Sequence, residues 1–303
     1  MNEIHWGLLV ASYLFLAGAG AGALFVSGYY VVENKIQDAK YFSLSKYSAL
    51  FGAVLLSVGV GMIVLDLTTF RHGVEHLEFD KIFRFVQLFM TFVPGSIMSV
   101  GTWLLAVAIP VAFIFVLSFT NIYSFSKYRK LLAFVNMFFA ICIASYTAFL
   151  LGDITHNLVW NNSVLVILFL FSGLSSGLAI VLIAKIILWK NEKIDLEEES
   201  NFSKADIVIL ALELLCMIVF AYTVYATAMA NNLIYVLSLE NMVGQIWWIG
   251  ALGLGLILPL IFNMQAIINK KALTHVKEYV LIASILVGAF CLRYSVLLAG
   301  QWN

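Results

Sequence analysis

Eight long apolar stretches dominate the sequence and leave little choice of fold. They cover about 7–32, 48–69, 96–119, 131–151, 163–189, 206–229, 245–268 and 279–300. Each is close to the roughly 20 residues that an α-helix needs to cross the hydrocarbon core of a bilayer. Of all residues 63% are hydrophobic and 11% are charged, whereas a soluble domain carries about 25% charged residues. The sequence therefore predicts an all-α integral membrane protein with eight transmembrane helices.

The connections between these stretches are short, and no separate soluble domain is predicted. The segment near 80–93 carries apolar residues at helical spacing, and we expect it to lie along the membrane interface before Pro94. The formal net charge is zero, which gives no indication of a nucleic-acid partner. The lipid bilayer is the expected surrounding.

The basic residues are distributed unevenly between the two predicted sides of the membrane. Thirteen of the seventeen Lys and Arg residues fall in or beside the loops that follow helices 1, 3, 5 and 7. Because basic loops remain in the cytoplasm, both chain termini are predicted to lie on the opposite side. The thirteen are Lys35, Lys40, Lys46, Lys127, Arg129, Lys130, Lys185, Lys190, Lys193, Lys204, Lys270, Lys271 and Lys277.

The two halves of the sequence show weak internal similarity. FLAGAGAGALF at 15–25 aligns with LFSGLSSGLAI at 170–180, and both contain two glycines four residues apart, a spacing that lets membrane helices approach closely. SYTAFLLG at 145–152 similarly matches RYSVLLAG at 293–300. Since each half contains four spans, the repeats must be parallel. We predict two four-helix bundles, 1–152 and 153–303.

Three of the charged residues within the predicted spans are functional candidates, because burial of charge in a membrane is costly and usually functional. Asp66 is near the outer end of helix 2, and Arg293 is about seven residues inside the outer end of helix 8. They could form a buried ion pair, or one or both could face a ligand. Glu213 lies closer to the basic side with no obvious partner. It is either a packing residue or part of a proton path.

Polar residues on four helices are predicted to share one level near the outer face. They could line a pocket that opens toward that face. The set is Ser12, Asp66, Tyr146, Arg293 and Gln301.

Histidine and cysteine argue against a metal in this protein. All five histidines fall in loops or at helix ends, whereas a haem between helices needs axial ligands inside the membrane. Cys142, Cys216 and Cys291 sit singly in apolar runs and are interpreted as small buried hydrophobic residues. We therefore expect no haem and no metal site.

Several of these stretches resemble the NrfD-like family, the membrane subunits of polysulfide reductase and related respiratory complexes. The residues are YLFLAGAGAGALF in helix 1, VLDL at 64–67, GSIMSVGTWLL at 95–105, SYTAFLLG with the following LVWNNSVL, and the ending LRYSVLLAGQW. The order and spacing of these motifs carry the resemblance. DLTTFRHG and GSIMSVGTW depart from the usual family pattern, which has an arginine and a proline soon after the aspartate and a Ser-Pro-Met before the tryptophan.

The resemblance implies a haem-free quinone-interacting membrane anchor in a bacterial inner membrane, with periplasmic termini. It also implies a periplasmic iron–sulfur subunit with four clusters as a partner and, through it, a molybdopterin-dependent catalytic subunit. Electrons would pass between menaquinol and the iron–sulfur subunit.

The resemblance also implies roles for individual residues. Tyr146 matches the family tyrosine that hydrogen-bonds the quinone. Ser12 stands at the position of a helix 1 histidine and Leu9 at that of an asparagine, so His5 or Tyr13 could substitute for them. Asp66 and Arg293 match charged positions of the family, with Asp66 and Glu213 as candidates for proton transfer.

Two other classes of function remain open from the sequence. A secondary transporter of a small solute or ion would suit a repeated fold and intramembrane charges, but it predicts a central site rather than polar residues at one face. A sensor would normally bring a soluble output domain, and none is predicted.

Overall fold

The computed structural model describes residues 6–68, 90, 92–120, 124–153, 157, 159–189, 196–231, 235–270 and 273–301, and of residues 65–68 and 124 it describes the backbone alone. Eight helices in these ranges are long and apolar enough to cross a membrane, which confirms the predicted fold class. They are α1 Leu8–Val32, α2 Ala39–Thr68, α3 Ile97–Leu117, α4 Arg129–Gly152, α5 Ser163–Leu188, α6 Leu196–Ala230, α7 Met242–Asn269 and α8 His275–Ala299.

Two helices begin well before the spans that hydropathy predicts. α2 starts at Ala39 and α6 at Leu196, about nine and ten residues ahead of the predicted 48 and 206. Both extensions carry charged residues, so a sequence window that includes them has a lower mean hydropathy and is not predicted as part of the span. In α6 the first turn contains Glu197, Glu198 and Glu199, and negative charge stabilises the positive end of the helix dipole. The predicted interface segment 80–93 lies mainly outside the described residues.

Contacts between helix ends define two faces of the molecule. At one face Lys185 forms ion pairs with Glu199 and Glu278, and Tyr41 packs on Trp189. We call this the lysine-rich end. At the other face the rings of Trp6 and Trp160 stack 5.2 Å apart, close to the two termini of the protein. We call this the terminal end.

Helix α1 occupies the centre of the protein. It contacts α2, α4, α5 and α8, and most of its side chains are buried. By contrast, α3 and α6 present large apolar residues outward, among them Phe113, Leu215 and Tyr222. Such an outward apolar surface is stable only in lipid, so the bilayer supplies the solvent for the outer ring of helices.

The glycines that align in the two halves of the sequence pack against each other. A Cβ added to Gly22 would overlap the carbonyl oxygen of Gly173, and one added to Gly177 would overlap the backbone of Gly22. The backbones of α1 and α5 are therefore in direct contact, as small residues allow in membranes. We call this contact the glycine seam. The division into bundles 1–152 and 153–303 stays a prediction.

Helix α7 is irregular in its middle. The stretch Ile246–Ile257 is π-helical, which widens the turn and places Gly255 against Gly288 of α8, with backbone atoms too close for either residue to carry a side chain. π-Helical segments within α-helices often occur near functional sites. Here the helix continues with regular geometry from Leu258 through Pro259 to Asn269.

The glycine seam predicts a strong position effect for alanine. Gly177→Ala is expected to destabilise the protein by about 1–3 kcal/mol, because the new methyl group has no room between two backbones. Gly61→Ala is the matched control, since nothing lies within 4 Å of its added Cβ. Thermal denaturation of the detergent-solubilised protein measures both, and an equal response of the two variants would contradict the seam.

Candidate functional site

Tyr146 and Tyr13 lie together in the terminal half of the protein. Tyr13 on α1 is 1% exposed and Tyr146 on α4 is 8% exposed, and their phenol groups are close enough to interact electrostatically. Gly101 of α3 makes room for Tyr146, because a Cβ there would overlap the phenol ring. Three helices thus bring two phenols into one buried layer.

Ser12 and Leu9 lie beside this pair on α1. Both are half-buried, and Leu9 and Tyr13 are four residues apart, which places them on the same face of the helix. From the other side, Gly59 of α2 packs against the backbone of α1, with the position of its missing Cβ 3.4 Å from the carbonyl oxygen of Tyr13. Asp66 lies two turns farther along α2, but its side chain is outside the described residues.

Asp153 is an acidic residue, among those that the structure describes, that interacts electrostatically with Tyr146. It is exposed at the end of α4, two helical turns beyond the tyrosine. The sequence analysis missed this residue because it stands just past the predicted span. Its position gives the phenol layer an acidic neighbour in contact with solvent at the terminal end.

Gln301 lies at the terminal end and joins the two ends of the protein. Its side-chain oxygen accepts a hydrogen bond from the Trp6 backbone nitrogen at 2.8 Å, and its Nε2 donates to the Trp6 carbonyl at 2.9 Å and the Leu297 carbonyl at 3.1 Å. Nearby, Trp160 Nε1 donates to the Val296 carbonyl at 2.9 Å. These bonds hold the start of α1 against the end of α8.

Arg293 lies six residues before the end of α8 at Ala299, close to the depth that the sequence predicts. Its side chain is fully buried, and its guanidinium packs on the space left by Gly18, where an added Cβ would be 2.5 Å from Nη2. Gly18 is six residues, or about 9 Å of helix rise, below Ser12. The Arg293 guanidinium therefore packs beside the glycine seam, about two helical turns from the level of Ser12.

The described partners of Arg293 are on α5 and on its own helix. Nη1 donates to Ser172 Oγ at 2.9 Å and to the Ala289 carbonyl at 3.0 Å, and the guanidinium lies 5.3 Å from the centre of the Phe169 ring. Among the described residues, its Nε and Nη2 have no hydrogen-bond partner although they are buried. The sequence analysis also offered an ion pair between Arg293 and Asp66. The side chain of Asp66 lies outside the described residues, so this ion pair stays a prediction.

Glu213 has a partner, contrary to the sequence interpretation. Ser175 donates a hydrogen bond of 2.6 Å to its Oε2, and Glu213 also interacts with Ser172 and, electrostatically, with Arg293. Because α6 begins at Leu196, Glu213 is the middle residue of that helix rather than one near its end. We call Arg293, Glu213, Ser172 and Ser175 the central polar cluster.

A second buried polar pair was missed by the sequence analysis. Asn263 of α7 donates to Asp206 Oδ2 of α6 at 2.5 Å, and both side chains are buried. Asp206 is the first residue of the predicted span 206–229, where an acidic residue is easily interpreted as solvated. The longer α6 places it inside the helix.

The described part of the protein brings no three His, Cys, Asp or Glu residues together as metal ligands. The three cysteines are separate and reduced. Of the histidines, His275 begins α8, whereas His5, His72, His76 and His156 lie outside the described residues.

Comparison with known proteins assigns the family. The family model described as "Polysulphide reductase, NrfD" matches residues 1–303. The chain belongs to the NrfD family. It is 26% identical to the "Protein NrfD homolog" of Haemophilus influenzae over 99% of its own length and 95% of that protein. It is 26% identical to the polysulfide reductase C subunit of Wolinella succinogenes, over 99% of its own length and 95% of that protein. It is 25% identical to "Protein NrfD" of Escherichia coli, over 99% of its own length and 96% of that protein.

NrfD membership confirms the resemblance seen in the motifs. It supports the coarse assignment of this protein as a membrane subunit of a respiratory oxidoreductase. The eight helices make it a multi-pass membrane protein.

The central polar cluster predicts coupling between Arg293 and Glu213. Arg293→Gln is expected to cost about 3 kcal/mol, since Glu213 then lacks a nearby cation in a medium of low dielectric constant. The double variant with Glu213→Gln should lose less stability than the sum of the single variants. Glu240→Gln, at an exposed position, is the control and should add to Arg293→Gln. Thermal denaturation in detergent measures the cycle, and additivity in both pairs would refute the coupling.

Proposed function

We propose that this protein is the quinone-interacting membrane subunit of a polysulfide reductase-like respiratory complex. It would pass electrons between menaquinol and an iron–sulfur subunit docked at the terminal end. The observation that carries the proposal is the pair of buried phenols, Tyr13 and Tyr146, which are near enough in the terminal half to interact electrostatically. Family membership and the similarity to a polysulfide reductase C subunit support it.

The chemistry of this layer suits a quinone head group. A quinone has two carbonyl oxygens that accept hydrogen bonds and a planar ring that favours an apolar, flat surrounding. Tyr146 and Tyr13 supply hydroxyl donors from two helices, and the absent side chain at Gly101 leaves room for the Tyr146 ring. Ser12 supplies a third hydroxyl on the adjoining part of α1.

Proton transfer at this layer needs an acceptor. Oxidation of menaquinol to menaquinone releases two electrons and two protons, and a general base must lie within hydrogen-bond reach of each hydroxyl, directly or through one water. We propose Asp66 for this role, with Asp153 at the end of α4 as the acidic group on the solvent side. Gln301 closes the layer toward the terminal end, and Arg293 supplies positive charge from below.

The orientation follows from the basic residues. The lysine-rich end would face the cytoplasm and the terminal end the periplasm of a bacterium. A periplasmic iron–sulfur subunit with four clusters, and through it a molybdopterin catalytic subunit, would then dock over the stacked rings of Trp6 and Trp160. Electron transfer requires short distances, which a head group bound between Tyr13 and Tyr146 would satisfy from that face.

The second candidate is a secondary transporter of a small solute. One observation favours it: the central polar cluster holds two guanidinium nitrogens that have no hydrogen-bond partner among the described residues. The test is uptake by the protein alone in liposomes. Uptake without redox partners would support transport, whereas co-purification of iron–sulfur subunits would support the quinone proposal.

Removal of the phenol hydroxyls tests the site. Tyr146→Phe and Tyr13→Phe should each weaken binding of a dimethylnaphthoquinol about 3- to 10-fold, the loss of one hydrogen bond. Tyr222→Phe is the control, since Tyr222 is 68% exposed on the outer surface. Fluorescence quenching or calorimetry in detergent gives the affinities, and wild-type binding by both inner variants would exclude this site.

A further inference from the structure

A cavity lies between α1 and α6 at the lysine-rich end. Its volume is about 390 Å³, within the roughly 300–1,000 Å³ of pockets that hold small ligands. Both α1 and α6 pack against α5, and α5 contributes Leu174 and Leu178 to the cavity. The cavity therefore follows the gap between two helices that share a neighbour, and it reaches from the charged surface into the depth of the membrane.

The deeper part of the cavity is apolar and open at its side. It is lined there by Phe25 and Val26 of α1 and by Ile209 of α6, all of which are half-buried. Phe25 is seven residues, or about 10 Å of helix rise, from the end of α1 at Val32. An apolar recess at this depth, open toward the hydrocarbon of a bilayer, fits a lipid acyl chain.

The mouth of the cavity holds an ammonium group surrounded by aromatic rings. Asn34 has a left-handed conformation with φ 56°, and Lys35 follows it in the turn between α1 and α2. The Lys35 Nζ lies 5.6, 5.8 and 5.9 Å from the ring centres of Tyr29, Tyr30 and Tyr41. Contacts of a cation with several ring faces are attractive, so the three tyrosines hold this ammonium group at the mouth.

The mouth also contains an acidic group. Glu198 lies in the first turn of α6 and lines the cavity together with Asn201. The next residue, Glu199, is engaged by Lys185. Within the ranges that the structure describes, the side chains of Lys35 and Glu198 form no ion pair or hydrogen bond. A positive and a negative group thus face one cavity without neutralising each other, which complements a ligand that carries both charges.

We propose that this cavity binds a phospholipid with an amine in its headgroup, phosphatidylethanolamine, from the leaflet at the lysine-rich end. Lys35 donates to the phosphate, Glu198 accepts from the ammonium group of the ethanolamine, and one acyl chain occupies the recess beside Phe25 and Ile209. The inference does not depend on the proposed quinone function.

The arrangement also discriminates against related ligands. Phosphatidylglycerol offers the same phosphate and chains but has no cation for Glu198. A free phosphate or a soluble phosphate ester lacks the chain, so it leaves the apolar recess without a ligand. The bound lipid would connect α1, the following turn and α6 at the end of the protein where these helices are separated by the cavity.

The first test removes the charge that holds the phosphate. Native mass spectrometry of the full-length protein in detergent, titrated with palmitoyl-oleoyl phosphatidylethanolamine, measures binding. Lys35→Gln should weaken it about tenfold, the effect of hydrogen bonds to a charged group. Lys127→Gln is the control, because Lys127 lies 5.8 Å from the ring centre of Tyr128 and outside this cavity. An equal effect of the two substitutions would overturn the site.

The second test concerns the choice of headgroup. Wild type should bind phosphatidylethanolamine about 2- to 5-fold more tightly than phosphatidylglycerol, the size expected of an ion pair that is partly open to solvent. Glu198→Gln should abolish this preference. Glu197→Gln, in the same helical turn but lining a separate cavity between α6 and α7, should keep it. A preference that survives in Glu198→Gln, or none in wild type, would overturn the assignment of the amine.

The third test concerns the acyl chain. Ala205 is exposed and lines the cavity, so Ala205→Phe should fill the recess and weaken lipid binding about tenfold. Ala226→Phe, at an exposed position of the same helix outside the cavity, should bind lipid as wild type does. Glycerophosphoethanolamine and inorganic phosphate at about 100-fold excess should leave the lipid bound, because neither fills the apolar recess. Displacement by either would show a site for soluble phosphates and overturn the lipid as ligand.

Discussion

The backbone contact between α1 and α5 is the interaction on which the rest of the structure depends. In a bilayer, helices gain nothing from withdrawing apolar surface from water, so association depends on close packing and on polar contacts. Gly22, Gly173 and Gly177 allow the two backbones to touch. Because α1 then lies in the centre, with contacts to four other long helices, most of its residues face protein. The positions of Tyr13 and Gly18 on α1 therefore set the depth of both polar layers.

These two layers differ in chemistry because they differ in depth and partners. The terminal layer is neutral and built from phenols, with an exposed acidic group, Asp153, beyond it. The central polar cluster is charged and held by serine hydroxyls from α5. Charge in the middle of a membrane is costly and needs a reason. Arg293 and Glu213 reduce this cost for each other, because their charges are opposite and they interact electrostatically.

Hydropathy predicted the eight helices because the thickness of the bilayer fixes both their length and their composition. It failed at the starts of α2 and α6, where helix continues past the hydrocarbon into charged sequence. Because of that error, Glu213 was predicted near the end of its helix although it lies in the middle, and Asp206 was not recognised as a buried residue. Tyr146 and Tyr13 were named from motif resemblance, but their proximity depends on Gly101 and on tertiary packing. The hydrogen bond between Arg293 and Ser172 could be identified only from the fold, because the two residues are 121 positions apart in the sequence.

The motif FSGLSSG shows why packing and chemistry arise from the same residues. Gly173 and Gly177 recur at four-residue spacing and form the seam, whereas Ser172 and Ser175 are offset by about 100° per residue and lie beside it. The small glycines bring α1 and α5 together, and this approach carries the serine hydroxyls to Arg293 and Glu213. A larger residue in the seam would separate the helices and also detach the cluster from its donors. In the first half, Ala17 and Gly20 align with Ser172 and Ser175, so the polar function of the repeat resides in α5.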